Sequence, residues 1–455
     1  MDNDFLSGKT VLIMGLGRFG GGVDVARFAA GKGAKVVVTD LAEINELQNS
    51  ISQLSEYPGI EYHLGSHRED DFATADIIIA NPAVPPENNF LKIAAGVGKT
   101  VTSQIGIFFK LCPAGIIGIT GSNGKSTTTA LTAHILRSAR GKTYAKVWLS
   151  GNIGNQPLLM LLDRIKADDL VVLEISSFQI EQLAAEHEAP QVALLTNLLP
   201  NHLDRYGTFE RYCAAKQLLF ANQKPGKNEP PVSLFNREDD IAARWYEEYK
   251  KDPGRRCSTF SADDVSQTVR AKFTLPGRCN LSNLAGAMTI AKLFGVDEQA
   301  IANCLGDFKA LPHRLEFIAQ HNSIRWFNDS KATTPEAAIA AVEAFEEPVV
   351  LIAGGYDKKL AFDQLGKTIA ARARAAILIG TTAAKIKAAI ETAPATKKVT
   401  TTICSSLAEA VAAANKTAQQ GDVVLLSPAC ASYDMFDNYE QRGNEFIRLA
   451  RQLTD

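Results

Sequence analysis

The sequence predicts an α/β protein built from three consecutive α/β domains, and three observations carry that expectation. Short apolar runs alternate along the whole chain with longer stretches of helical periodicity. Glycine-rich turns stand where such a run gives way to a helix, as at 15–20, 121–124 and 354–355. The 455 residues also exceed one hydrophobic core, because single cores stop growing near roughly 250–300 residues. With 46% hydrophobic and 22% charged residues, a disordered or collagen-like chain is excluded.

The first domain is expected over 1–112. It opens with the apolar run Thr10–Met14, then Gly15-Leu-Gly17-Arg-Phe-Gly20, an amphipathic stretch to Gly31, and a second run ending in Thr39-Asp40. This is a βαβ unit with G-x-G-x-x-G at its first turn, hence Rossmann-like, and an acid twenty residues past the last glycine. A third strand is expected at 76–80, running into Asn81-Pro82. Gly17 and Asp40 are candidate substrate-binding residues. A dinucleotide, another nucleotide diphosphate and a merely tight turn all fit this pattern, and a phosphate loop further along the chain moves weight to the second.

The second domain, 113–311, starts with the run Gly115–Thr120 feeding a glycine turn and a helix. Further strands are expected at Leu170–Glu174 and 192–196, a Pro-rich loop at 224–231, and helices over 280–293 and 299–308. Leu311-Pro312 reads as a hinge. The third domain, 312–455, is again Rossmann-like, with strands at Val349–Ala353, 375–379 and 423–427 between alanine-rich helices.

Charge and cysteine content narrow the partners. Lys and Arg total 48 against 50 Asp and Glu, so overall charge points to neither nucleic acid nor a membrane surface. The acidic N-terminus Met1-Asp2-Asn3-Asp4 and the absence of a long apolar run predict a cytoplasmic protein. Seven scattered cysteines without a CxxC pair read as reduced thiols.

The strongest chemical signal is Thr-Gly-Ser-Asn-Gly-Lys-Ser-Thr at 120–127. Between a buried strand and a helix, its glycines let backbone N–H groups turn inward around phosphate oxygens, and the helix N-terminus adds positive potential. The general motif has a further glycine where this chain has Ile119, so the loop is the short G-x-x-G-K-S-T form of a P-loop ATPase domain. Gly121, Asn123, Gly124, Lys125, Ser126 and Thr127 are the expected ATP contacts. Lys125 reaches the terminal phosphates and Ser126 ligates Mg²⁺. Glu174 closes a strand beside this loop, so a metal role leads over a helix-capping one. His202 divides evenly between a structural role and metal or substrate contact. Lys216, on an amphipathic stretch, reads from its surroundings as a solvated helix lysine. Asp329 and Lys331, two apart, read as an acid and a base pointing the same way from an extended segment.

Together these segments resemble the Mur ligase family, ATP-dependent amide-forming enzymes of peptidoglycan precursor synthesis. The resemblance runs through TGSNGKST, GNIG at 151–154, LEISSFQ at 173–179, NHLDRYGTFERYCAAK at 201–216 and GRCNLSN at 277–283. LPHRLE, NDSKAT, GGYDK and SPACASYDMFDNYEQRGNEF continue it, and the set is most like the D-glutamate-adding branch. The resemblance implies that UDP-N-acetylmuramoyl-L-alanine and D-glutamate are the substrates of a monomer. The first domain would grip the UDP end, the second bind ATP, and the third present the amino acid. It implies two Mg²⁺ ions, one on Ser126 and Glu174. The other lies on Glu174, His202 and a carbamylated Lys216, which turns that lysine into an anion. It implies Lys125, Glu174, His202 and Lys216 as the catalytic set, ATP contacts at Asn283, Arg314 and Asp329, and a substrate contact at Asn152. Lys331, Thr333, Lys358, Ser432 and Tyr439 would receive the amino acid.

Several positions depart from the family pattern: Leu41-Ala42, Gln104, Gly106, Cys279, Tyr433 and Tyr439. A sister Mur ligase or a folylpolyglutamate-type ligase is the nearest alternative. A nicotinamide-dependent oxidoreductase built on Gly15–Gly20, or a nucleotide-binding regulator that makes no bond, leaves most of the motifs without a task.

Overall fold

A computed structural model describes residues 4–139, 143–153, 157–225, 229–394 and 399–453. Part of the expected loop at 224–231 and the last glycine of the segment 151–154 lie outside the described residues. The described strands are β1 (Thr10–Met14), β2 (Lys35–Asp40), β3 (Glu61–Leu64), β4 (Ile77–Ala80) and β5 (Thr100–Ser103). They continue with β6 (Gly115–Thr120), β7 (Val147–Gly151), β8 (Leu170–Glu174), β9 (Val192–Leu195), β10 (Val232–Asn236) and β11 (Arg256–Phe260). The last are β12 (Glu316–His321), β13 (Ile324–Asn328), β14 (Val349–Ala353), β15 (Ala373–Leu378), β16 (Thr400–Ile403) and β17 (Val423–Leu426).

They form three sheets, ordered β3-β2-β1-β4-β5, β11-β10-β9-β6-β8-β7 and β12-β13-β17-β14-β15-β16. Described pairings are parallel except β12 with β13, as the alternation of runs and helices requires. The strands expected from apolar runs (β1, β2, β4, β6, β8, β9, β14, β15 and β17) are all inner strands. The inner strands β10 and β13, interrupted by Ser233 and Arg325, escaped that criterion, and so did all six edge strands, where a strand with one open flank keeps polar residues: Glu61-Tyr-His-Leu64 and Thr400-Thr-Thr-Ile403 carry no apolar run. The helix expected over 299–308 ends earlier, with an α-helix at Glu298–Cys304 and a 3₁₀ turn at Leu305–Asp307.

The chain divides into two compact units, Met1–Ser261 with Ala285–Ile301, and Ala262–Leu284 with Ala302–Asp455. In the first unit a continuous apolar core runs from Leu6, in the turn before β1, and Val11 on the first sheet to Val171 and Phe235 on the second. Two carboxylates, the buried Asp24 and the partly buried Glu186, join these layers. Asp24 accepts from the backbone N–H groups of Leu158 (3.0 Å) and Leu159 (2.8 Å), and from Gln104 Nε2 at 2.6 Å. Glu186 accepts from Thr102, Ser103 and Lys110, the last at 2.5 Å. The Glu186 carboxylate fills the space that a side chain at Gly106 would need. The departures at Gln104 and Gly106 therefore each have a partner carboxylate. Among the described residues no helix is long and apolar enough to cross a membrane.

Candidate functional site

The centre of the first unit is the turn between β6 and the helix Lys125–Ser138. Gly124 enters that helix in the left-handed region, φ 82°. Gly121, at φ 145°, lies so close to Thr196 Oγ1 and Asn197 that no Cβ fits there. The turn is held from outside: Asn123 N donates to Asn197 Oδ1 (2.9 Å), and Thr196 Oγ1 donates to Asn123 O (2.6 Å). Lys125 Nζ donates to Ser122 O at 2.7 Å, folded back on its own loop within reach of an incoming phosphate. Ser126 and Thr127 are buried at the helix start.

Glu174, at the end of β8 and 2% exposed, accepts a short hydrogen bond from Ser126 Oγ. Its other oxygen accepts from Asn152 Nδ2 at 3.0 Å, and Asn152 N donates to Glu174 O at 2.9 Å. Ser126, Glu174 and Asn152 thus form one cluster, from the ends of three neighbouring strand–turn units. Among the described residues no group of three or more His, Cys, Asp and Glu side chains could hold a metal. The hard oxygens of Ser126 and Glu174 nevertheless suit Mg²⁺, which keeps much of its water shell.

Lys216 corrects the reading of a solvated helix lysine: it is 1% exposed. On the helix Phe209–Ala221, the buried positions Tyr212, Lys216, Leu219 and Phe220 follow helical spacing, so Lys216 lies on the inward stripe. That position on the apolar stripe was the available signal. Its Nζ donates to Thr120 Oγ1 at 3.1 Å, and the Thr120 hydroxyl itself donates to Ile175 O at 2.8 Å. Nζ also lies 5.1 Å from the centre of the Tyr212 ring. Burial first, then the nearby Lys125 ammonium, hold the Lys216 amine well below its ordinary pKa, with Glu174 opposing. His202, left-handed at φ 52°, stands 4.9 Å ring to ring from Phe178 and 6.3 Å from Tyr212. Tyr212 is therefore a neighbour common to His202 and Lys216.

In the first sheet's crevice, Gly17 and Asp40 meet directly. Gly17 N donates to Asp40 Oδ2 at 3.0 Å, and Ala42 N to Oδ1 at 2.9 Å. Asp40 thereby fixes the turn as well as facing the crevice. Asn81, after β4, donates from Nδ2 to Gly15 O at 3.2 Å. Gly15, at φ 91°, leaves no room for a Cβ against the Asn81 side chain. Phe19 in the glycine turn and Leu41 directly after Asp40 are exposed apolar side chains.

The second unit gathers three loops at the C-terminal ends of β13, β14 and β17. Ala429 N donates to Ala332 O (2.9 Å), Gly354 N to Pro428 O (2.8 Å) and Tyr356 N to Ala431 O (2.9 Å). Lys331, Thr333, Lys358, Ser432 and Tyr439 all lie in or beside this cluster, Ser432 buried and Lys358 exposed. Lys331 Nζ lies 4.9 Å over the Tyr439 ring. The expectation of an extended Asp329–Lys331 pair is corrected. The chain turns there, Ala332 N bonding Asp329 O and Ser330 N bonding Asn328 Oδ1, so acid and base part company. Asp329 points inward, accepting from Leu315 N (3.2 Å) and Ser427 Oγ (2.8 Å). Burial pushes its pKa up to about 7, against those hydrogen bonds and Arg314. Asn283 is buried, its Nδ2 on Asn280 Oδ1 at 3.3 Å.

Sequence reasoning passed over Arg442. Fully buried, it donates from Nε to Ser330 Oγ (3.0 Å), from Nη1 to Cys430 O (3.1 Å) and from Nη2 to Ser330 O (2.7 Å). It thus ties the loop after β13 to the loop after β17. The buried positions Arg442, Phe446 and Ala450 on one helix face were the available signal.

Three family descriptions match in order: "Mur ligase MurD-like, N-terminal domain" over residues 9–103, "Mur ligase middle domain" over 119–276, and "Mur ligase, glutamate ligase domain" over 313–430. The UDP-N-acetylmuramoylalanine--D-glutamate ligase of Roseiflexus sp. (strain RS-1) is 39% identical over 99% of this chain and 100% of its own. The ligase of the same name from Clostridium tetani is 36% identical over 99% and 98%. Among solved structures, UDP-N-acetylmuramate-alanine ligase MurC of Thermotoga maritima superposes with TM-score 0.57 at 18% identity, covering 98% of this chain and 100% of that one. MurF ligase of Thermotoga maritima in complex with ADP gives 0.56 at 16%, covering 99% and 96%. At such identity these two show the fold.

Proposed function

The chain belongs to the Mur ligase family, and on that premise we propose that it joins D-glutamate to UDP-N-acetylmuramoyl-L-alanine with hydrolysis of ATP to ADP and phosphate. The full-length match to D-glutamate ligases at 36–39% identity carries this reading, and the Ser126–Glu174–Asn152 cluster at the phosphate turn supports it. The work is divided as 1–112 for the UDP end, 113–311 for ATP and 312–455 for the amino acid. As a user of ATP and a UDP-linked precursor, the protein works in the cytoplasm.

The L-alanine carboxylate oxygen attacks the γ-phosphorus of ATP, and the bond to ADP breaks, leaving an acyl phosphate. The D-glutamate amine, having lost a proton, then attacks the acyl carbon and phosphate departs, leaving the amide. Lys125 exchanges Ser122 O for phosphate oxygens, and the backbone N–H groups of 121–126 hold the remaining charge. Ser126 and Glu174 are the residues to hold Mg²⁺. When bound, Mg²⁺ supplies charge neutralisation between triphosphate and attacking carboxylate. The depressed pKa of Lys216 favours the neutral amine, the form that adds to CO₂, losing a proton to give a carbamate. That anion, with Glu174 and His202, would complete a second Mg²⁺ site. Asn152 orients Glu174; Asn283, Arg314 and Asp329 serve ATP; Lys358, with Lys331, Thr333, Ser432 and Tyr439, meets the amino acid.

The test is ADP release from purified protein given UDP-N-acetylmuramoyl-L-alanine and a panel of amino acids. Turnover with D-glutamate is expected. Turnover only with L-lysine, meso-diaminopimelate or a folate acceptor would overturn the substrate assignment. After incubation with ¹³C-bicarbonate, a carbamate carbon signal that disappears in Lys216→Met is expected.

A further inference from the structure

The substrate just proposed is one molecule with two ends. Its nucleotide end belongs in the crevice beside Gly17, and its carboxylate must reach the γ-phosphate above Lys125. The crevice and the phosphate turn lie on different sheets, so their register sets how well the carboxylate is aimed. One side chain outside the assigned site connects the two. Arg205, in the short helix Leu203–Tyr206 that follows His202, donates from Nη1 to Ala83 O at 2.9 Å and to Pro82 O at 3.4 Å. These carbonyls belong to the turn after β4, whose Asn81 is bonded to Gly15 O in the crevice floor. Nη2 donates to Glu181 Oε2 at 3.0 Å. The guanidinium carbon lies 4.2 Å from the centre of the Phe178 ring, and that ring is 4.9 Å from His202. Gln182 Nε2 on Ala80 O, at 3.0 Å, repeats the link one residue before the turn.

We propose that Arg205 is a positioning residue: stacked on Phe178 and hydrogen-bonded to the Pro82–Ala83 carbonyls, it holds the crevice turn in register with His202 and the phosphate centre. It touches no reacting atom; it acts through the turn on one side and the Phe178 ring on the other. A planar fork is needed for this, because only a guanidinium can stack and donate in two directions at once. The Asp24 and Glu186 clusters join the same two layers elsewhere, so removing Arg205 loosens the register without separating the layers. The inference rests on the substrate reading above.

The experiment compares Arg205→Ala and Arg205→Lys with the parent chain by calorimetric binding of UDP alone, binding of a non-hydrolysable ATP analogue alone, melting temperature, and kcat with the full substrate. Each half-ligand needs only one layer and should bind within about twofold of the parent. The full substrate needs both, and kcat should fall roughly tenfold to a hundredfold, with Arg205→Lys recovering little of it. Lys32→Ala, which removes an exposed pair with Asp163 across the same layers, should leave kcat unchanged. Unaltered kcat in Arg205→Ala would overturn the proposal. So would half-ligand binding and melting temperature that fall in step with kcat, the mark of a merely structural role. Failure of the substrate reading looks different: the parent chain itself would release no ADP with D-glutamate.

Discussion

Lys216 in the first unit and Arg442 in the second are both about 1% exposed, yet their surroundings use the burial in opposite ways. The Lys216 amine has one hydroxyl acceptor at 3.1 Å and a neighbouring ammonium on Lys125. Both shift the balance toward the uncharged amine, whose lone pair is nucleophilic. The Arg442 guanidinium has three good acceptors on two loops. Burial lowers its pKa only to about 10, so it stays charged and works as a tether. Equal burial therefore yields a reactive group where acceptors are scarce and a structural one where they are plentiful.

Exchanging the two chemistries is the sharpest way to break this comparison. Lys216→Arg puts a group that cannot lose its proton, nor take up CO₂, into a hole beside Lys125. Substrate-dependent ADP release should fall at least about a hundredfold, ~3 kcal/mol of barrier. Lys216→Met should do the same while retaining binding of the ATP analogue, which separates lost chemistry from misfolding. Arg442→Lys makes the reverse exchange. A lysine cannot reach Ser330 and Cys430 together, and unmet buried carbonyls cost roughly 1–3 kcal/mol each. Urea unfolding should show a loss of about 3 kcal/mol in the second unit, with a raised KM for the amino acid and a lesser effect on ATP.

Asp329 extends the comparison to a buried acid. Its folded pKa of about 7 lies above the unfolded 3.8, so the folded chain holds that proton more tightly. This group's share of stability is present below about pH 4, is lost as pH rises to 7, and is level above. Asp329→Asn has no such loss, and its stability relative to the parent should rise between pH 5 and pH 8 by roughly 2 kcal/mol. Melting curves at stepped pH would read it; a gap that stays constant with pH would refute the shift. The smallest effect belongs to a partly buried cation whose partner is exposed. Lys32→Ala removes a pair whose partner Asp163 is 72% exposed, and should change stability by less than about 0.5 kcal/mol.

The residues that sequence reading found and missed follow the same division. The phosphate turn at 120–127 was legible because its chemistry is local: strand, glycines, lysine and hydroxyls follow one another in eight residues. Gly17 and Asp40 could be singled out together because a βαβ unit brings its first turn and second strand end to one crevice, but their direct hydrogen bond appears only in the structure. Lys216 was misread because its charge outweighed the one local signal, its place on the stripe of Tyr212, Leu219 and Phe220. Arg442 and Arg205 were missed because the groups that give them their roles, Ser330 or the Pro82–Ala83 turn, are over a hundred residues away in the chain. Asp329 was placed on the wrong kind of segment because an Asn328 side chain, not an apolar pattern, turns the chain there.

By itself the sequence determined the α/β class, nine of the eleven inner strands and the phosphate turn, since each is written in a short window by burial, periodicity and backbone freedom. Tertiary structure alone decided which charges are withdrawn from water, where the six edge strands lie, and how the crevice and the phosphate centre are held together. Those depend on solvent access and on partners distant in the chain, and a pKa or a hydrogen-bond register exists only once the fold has brought them into place.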